Sequence, residues 1–136
     1  MRKAIAAATL AIVLAVAGCC PLRGICPHAN RNPHIGRVRH VVLFKFKDTA
    51  TPERINALVE DFRALKARIP AIRDYEWGTD ISVEKRSEGY THCFLVTFDD
   101  TKARDTYLTH PAHKALVAKL KPTLDKVLVV DYIAQR

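Results

Sequence analysis

The chain has 136 residues, 49% of them hydrophobic, with four cysteines and a net charge of +8 from 22 Lys and Arg against 14 Asp and Glu. This length allows one domain with a modest core, and the apolar content excludes a wholly disordered chain. The positive charge does not point to nucleic acid: Arg2, Lys3, Arg23, Arg31, Arg37 and Arg39 lie before residue 40, and the chain from there onward carries sixteen basic against fourteen acidic residues, a net of +2.

Residues 1–18 read as a secretory signal. Arg2 and Lys3 form a basic end, and Ala4 to Ala17 are apolar apart from Thr9, too short a stretch for a membrane span. The signal ends in Val16-Ala17-Gly18-Cys19, which resembles the lipobox of bacterial lipoproteins and implies lipidation of Cys19. Position 20 is Cys rather than Asp, so nothing signals inner-membrane retention, and the resemblance implies the periplasmic side of the outer membrane. Residues 19–37 read as the lipidated cysteine and a flexible tether, with three prolines, two glycines and almost no apolar periodicity. Cys20 and Cys26 could pair in an oxidising compartment, whereas Cys93 has no obvious partner and reads as a buried thiol.

Residues 38–136 form the expected domain. His40 to Lys47 alternates, with His40, Val42, Phe44 and Phe46 on one face, and reads as a strand. Thr51-Pro52-Glu53 is a helix start. Ile55, Leu58, Val59, Phe62, Leu65 and Ile69 then form one apolar stripe until Pro70. Tyr75 to Val83 reads as a second strand, Ser87-Glu88-Gly89 as a turn and Tyr90 to Phe98 as a third strand. A helix starts at Asp99-Asp100-Thr101, breaks at Thr109-His110-Pro111, restarts and runs to Lys121, and Val127 to Ile133 reads as the last strand.

The order βαββαβ is that of a ferredoxin-like sandwich, an α+β fold with a four-stranded antiparallel sheet and both helices on one face. The other face is apolar as well, with Val41, Leu43, Cys93, Leu95, Leu128, Val130 and Tyr132. A wet face of that size is unfavourable, so a second copy is expected to cover it in a homodimer. On the helix side, His40 shares its face with Val42, Phe44 and Phe46, His92 with Phe94, Val96 and Phe98, and His113 shares a helical stripe with Leu116, Val117 and Leu120. Three imidazoles and Tyr107 are therefore expected to meet in one mostly apolar pocket, with His110 or Thr109 capping the second helical segment.

Four segments together, His40 to Asp48, Tyr75-Glu76-Trp77-Gly78, Glu88-Gly89-Tyr90-Thr91-His92 and Tyr107-Leu108-Thr109-His110-Pro111-Ala112-His113, resemble the Dabb family, the stress-responsive dimeric α/β-barrel domain. The resemblance implies a dimer whose sheets close into a barrel, in a family that includes stress-response proteins and polyketide cyclases working without a cofactor. In those cyclases a tyrosine and the second histidine of His-Pro-Ala-His act on the substrate. These match Tyr107 and His113, and the family's supporting pocket histidines match His40 and His92.

The chemistry is consistent: a helix N-terminus and burial both favour neutral imidazole at His113, and Tyr107 could donate to a developing oxyanion. The expected pocket comprises His40, Val42, Phe44, Phe62, His92, Phe94 and Leu116 around the candidate catalytic pair Tyr107 and His113. Three functions fit: a membrane-anchored binder of a small apolar or aromatic molecule, a cofactor-free cyclase or lyase, and a structural stress-response protein. No cofactor is called for. A metal site is disfavoured because His110 and His113 point in different directions and no Asp, Glu or Cys lies near them in sequence. No phosphate loop, redox Cys-X-X-Cys or nucleophile elbow is present.

Overall fold

The computed structural model describes residues 32–136; the signal, Cys19 and the proposed Cys20–Cys26 pair lie outside the described residues. The order is β1 (Val38–Phe46), α1 (Pro52–Arg63), α2 (Leu65–Arg68), β2 (Asp74–Thr79), β3 (His92–Phe98), α3 (Thr101–Thr109), α4 (Pro111–Leu120) and β4 (Leu124–Ile133). The strands form one antiparallel sheet in the order β2-β3-β1-β4, as expected for a ferredoxin-like protomer.

Local chemistry accounts for the boundaries. Thr51 caps α1 by accepting from the Arg54 amide at 3.3 Å, with Pro52 in the first turn, where its missing N–H costs nothing. The stripe expected as one helix is divided at Ala64 into α1 and α2, yet Leu58, Val59, Phe62, Leu65 and Ile69 are all buried. β2 is shorter than expected. It ends at Thr79, and residues 80–91 form a loop in which Ile81 and Val83 project into solvent, so their alternation does not mark a strand of this protomer. The fold also begins earlier than residue 38. The Gly36 amide donates to Ala134 O at 2.9 Å and the Ala134 amide to Arg37 O at 2.9 Å, with Gly36 at φ +82°, where a side chain would be strained. The end of the expected tether is thus a turn held against β4.

The core lies between the helices and β3, β1 and β2. Phe62 of α1 stacks on Phe94 of β3 with centroids 4.5 Å apart, and Phe44 of β1 packs 4.9 Å from Phe94. Each such buried phenyl contributes roughly 1.5–3 kcal/mol. The helix layer stops short of β4. Val127 and Val129, on the helix side of that strand, stay 52% and 51% exposed, while Leu128 and Val130 on the other side are 42% and 47% exposed. The result is a gap between β4 and the α3–α4 pair, and an apolar strand open on both faces. Across the second face, Val41, Leu43, Leu95 and Cys93 are less covered than the core, and Cys93 is a partly accessible thiol rather than a buried one. Burial, with Glu76 nearby, raises its pKa.

Candidate acid–base pocket

The site begins at the break between α3 and α4. Asp100 caps α3, accepting from the Ala103 amide at 2.8 Å, and the helix ends at Thr109. Pro111 disfavours helical backbone at the preceding residue, and His110 is accordingly extended at φ −65°, ψ 136°. The His110 Nδ1 accepts from the Ala112 amide at 3.1 Å, so His110 is the cap of α4. In an unbroken helix that amide would bond to the carbonyl of Leu108. The break frees this carbonyl, and His113 takes it: its Nδ1 lies 3.1 Å from Leu108 O. Since a carbonyl only accepts, Nδ1 carries the proton and Nε2 of the neutral ring is left with its lone pair.

The same break brings Tyr107, at the end of α3, against His113, in the first turn of α4, with ring centroids 4.3 Å apart. Tyr107 is 1% exposed and borders the cavity, and its hydroxyl has no hydrogen-bond partner among the described residues. Burial, with a smaller contribution from Tyr75, raises its pKa well above the ordinary phenol value, so it remains a proton donor at neutral pH. Burial also lowers the pKa of His113, with the bond to Leu108 opposing and nearby His40 reinforcing the shift.

β1 and β4 complete the site. His40 is buried edge-on to Tyr107 at 5.7 Å, and its Nδ1 lies 2.6 Å from Asp131 Oδ1. The other carboxylate oxygen of Asp131 accepts from the Arg104 guanidinium. Burial raises the Asp131 pKa, but the hydrogen bonds from His40 and Arg104 outweigh it and hold the carboxyl below its usual range. An ionised Asp131 only accepts, so His40 Nδ1 is the donor, with its ring fixed against the strand.

These groups border a cavity of about 390 Å³ lined by His40, Val42, Phe44, Phe62, Tyr107, Leu108, His113, Leu116, Val117, Leu120, Lys121, Leu124, Val127, Val129 and Asp131. The volume suits a small organic ligand, and the lining is apolar apart from a few convergent polar groups. Of the residues expected here, the structure brings together His40, Val42, Phe44, Phe62, Tyr107, His113 and Leu116.

His92 and Phe94 are not among them. His92 does share the helix-side face, but it pairs with Phe44, four residues from His40 along β1, roughly 13 Å away. It stacks on Trp77 and borders a second cavity of about 160 Å³ with Cys93, Thr79 and Tyr90. Phe94 is sealed beneath Phe62 and Phe44, on the β2 side of the core. A shared face is legible in the alternation, but position along the strand and across the sheet is not.

Sequence reasoning misses Asp131 and Arg104, although signals for both exist. Asp131 alternates with Val130 and Tyr132 and so belongs on the opposite, helix-side face, and Arg104 lies one turn before Tyr107. Only the β1–β4 register, which pairs His40 with Asp131, connects them.

A family model described as the stress responsive A/B barrel domain matches residues 38–134. The chain belongs to the Dabb family. It is 41% identical over 97 residues to the stress-response A/B barrel domain-containing protein HS1 of Arabidopsis thaliana, covering 71% of this chain and 89% of that one. It is 32% identical over 99 residues to olivetolic acid cyclase of Cannabis sativa, covering 73% and 98%. Among solved structures, hydroxynitrile lyase from Passiflora edulis superposes with a TM-score of 0.71 at 26% identity, covering 76% of this chain and 97% of the lyase. A dimeric ferredoxin-like protein from Thermobifida fusca does so with a TM-score of 0.64 at 26% identity, covering 77% and 99%. Proteins similar to this Dabb chain therefore include a cyclase and a lyase beside stress-response proteins, and the expected fold is shared with a dimer.

Proposed function

We propose that this Dabb protein is a homodimer that takes up a small apolar or aromatic carbonyl compound and moves a proton on it without a cofactor, with His113 as base and Tyr107 as acid. The observation that carries this reading is the hydrogen bond from His113 Nδ1 to the carbonyl freed at Leu108, which leaves Nε2 as a lone-pair acceptor beside a buried phenol on the same cavity. A base takes a proton from carbon next to a carbonyl only if the resulting enolate oxygen is stabilised, and the unpartnered Tyr107 hydroxyl supplies the donor. His40, held by Asp131, is a second polar group facing the bound molecule.

The cyclase and lyase relatives support acid–base chemistry in this scaffold, and the dimeric neighbour supports a dimer that covers Leu128, Val130 and Tyr132. The Gly18-Cys19 segment supports attachment through lipid on Cys19 in the cell envelope, with the domain facing the periplasm.

The test uses the full chain and an aryl β-diketone in deuterated water, with exchange at the carbon between the carbonyls followed by NMR. Acceleration over buffer is expected, falling about 10²–10⁴-fold in His113→Ala. A diketone that binds in the cavity and exchanges no faster than in buffer overturns catalysis and leaves simple ligand carriage.

A further inference from the structure

Lys121 lines the same cavity as the acid–base pair, at the far end of α4. His113, Leu116, Val117, Leu120 and Lys121 succeed one another at spacings that share a helix face, and all five border the cavity. Eight residues of helix separate Lys121 from His113 by about 12 Å along the axis.

The charges of this cavity are otherwise committed. Asp131 already accepts from both His40 and Arg104, and His113 gives its Nδ1 proton to Leu108. Lys119 lies 2.7 Å from Asp61, Lys47 donates to Pro122 O at 2.9 Å and Lys45 pairs with Asp125, whereas Lys114 and Lys126, outside the cavity lining, have no such partner among the described residues. No carboxylate pairs with Lys121 among the described residues. The cavity thus has His113 and Tyr107 at one end, an apolar middle at Leu116, Val117 and Leu120, and at the other end Lys121, a solvent-exposed residue.

We propose that the ligand is a carboxylic acid with an apolar body, its carboxylate held by Lys121 and its carbonyl at Tyr107 and His113. This rests on the reading of the cavity as the substrate site and adds to it a charge and a length. An ammonium at the edge of an apolar channel favours an anion over the corresponding neutral or cationic molecule, and its distance from His113 sets which chain length reaches both ends.

The experiment is calorimetric titration of the full chain with ω-phenyl-ω-oxoalkanoic acids, which carry an aryl ketone at one end and a carboxylate at the other, in increasing chain length, and with their primary amides. Acids are expected to bind about five- to tenfold more tightly than matched amides, with an optimum length instead of a steady gain. Lys121→Met, which keeps much of the aliphatic stem, brings acids down to the affinity of the amides, and Lys121→Arg retains the preference. Equal binding of acids and amides by the unaltered chain overturns the carboxylate assignment while leaving the pocket in place. An acid preference that survives Lys121→Met overturns the role of Lys121. Failure of every acid and amide to bind overturns the proposal together with the pocket reading beneath it.

Discussion

Asp131→Asn tests the polar frame of the site most directly. The carboxylate receives the His40 ring on one oxygen and the Arg104 guanidinium on the other. An asparagine oxygen can still accept from His40, but its amide nitrogen then faces Arg104, donor against donor. A hydrogen bond to a charged group is worth roughly 1.5–3 kcal/mol. The Asp131 side chain is 29% exposed, so screening reduces the expected loss to about 1–2 kcal/mol. For a domain of this size that is a Tm roughly 5–10 °C lower. Because its partners depress the folded-state pKa of Asp131, its contribution is complete above the unfolded carboxyl value of about 3.9 and is lost as pH falls through the lower folded value. Urea unfolding of both proteins at equal concentration should therefore show the full difference at pH 7 and a shrinking one below about pH 4. A difference independent of pH, or no difference at pH 7, would refute the ionised Asp131 link.

Tyr107→Phe should leave stability within about 1 kcal/mol, since the hydroxyl has no protein partner to lose among the described residues, yet slow diketone exchange by about 10²-fold or more. Equal exchange rates by NMR would remove Tyr107 from the chemistry. Burial lowers the His113 pKa, so exchange activity should persist into acid below the ordinary histidine value of about 6.5 and fall only as His113 gains its proton. A rate–pH profile with its acid limb above that value contradicts this environment. Phe94→Ala should cost about 3–5 kcal/mol in chemical denaturation because the ring is fully buried in the core. Val130→Glu, at a site 47% exposed in the protomer, should give a folded monomer by sedimentation and circular dichroism, and an unchanged dimer would place the interface elsewhere.

Legibility tracks the range of the interactions. The caps at Thr51 and Asp100, the proline break before α4 and the alternation of β1 and β3 depend on neighbours a few residues apart, and they are readable in the chain. The alternation at Ile81 and Val83 misleads because a pattern of period two also occurs in a loop. Half of the site is readable for the same local reason: Tyr107, His110 and His113 act within one broken helix. The other half depends on contacts between residues 91 apart, His40 and Asp131, and 27 apart, Arg104 and Asp131.

The sequence by itself determined the order of the strands and helical stretches, the side of the sheet that carries His40 and His92, and the family. Periodicity and capping are properties of short segments, and the family is written in a few local motifs. Tertiary structure alone decided that the helices leave β4 uncovered, that the resulting gap excludes His92 and admits Lys121, and that Asp131 and Arg104 meet at His40. Those outcomes depend on strand register and on where the helix layer ends, which are set when distant segments pack against one another.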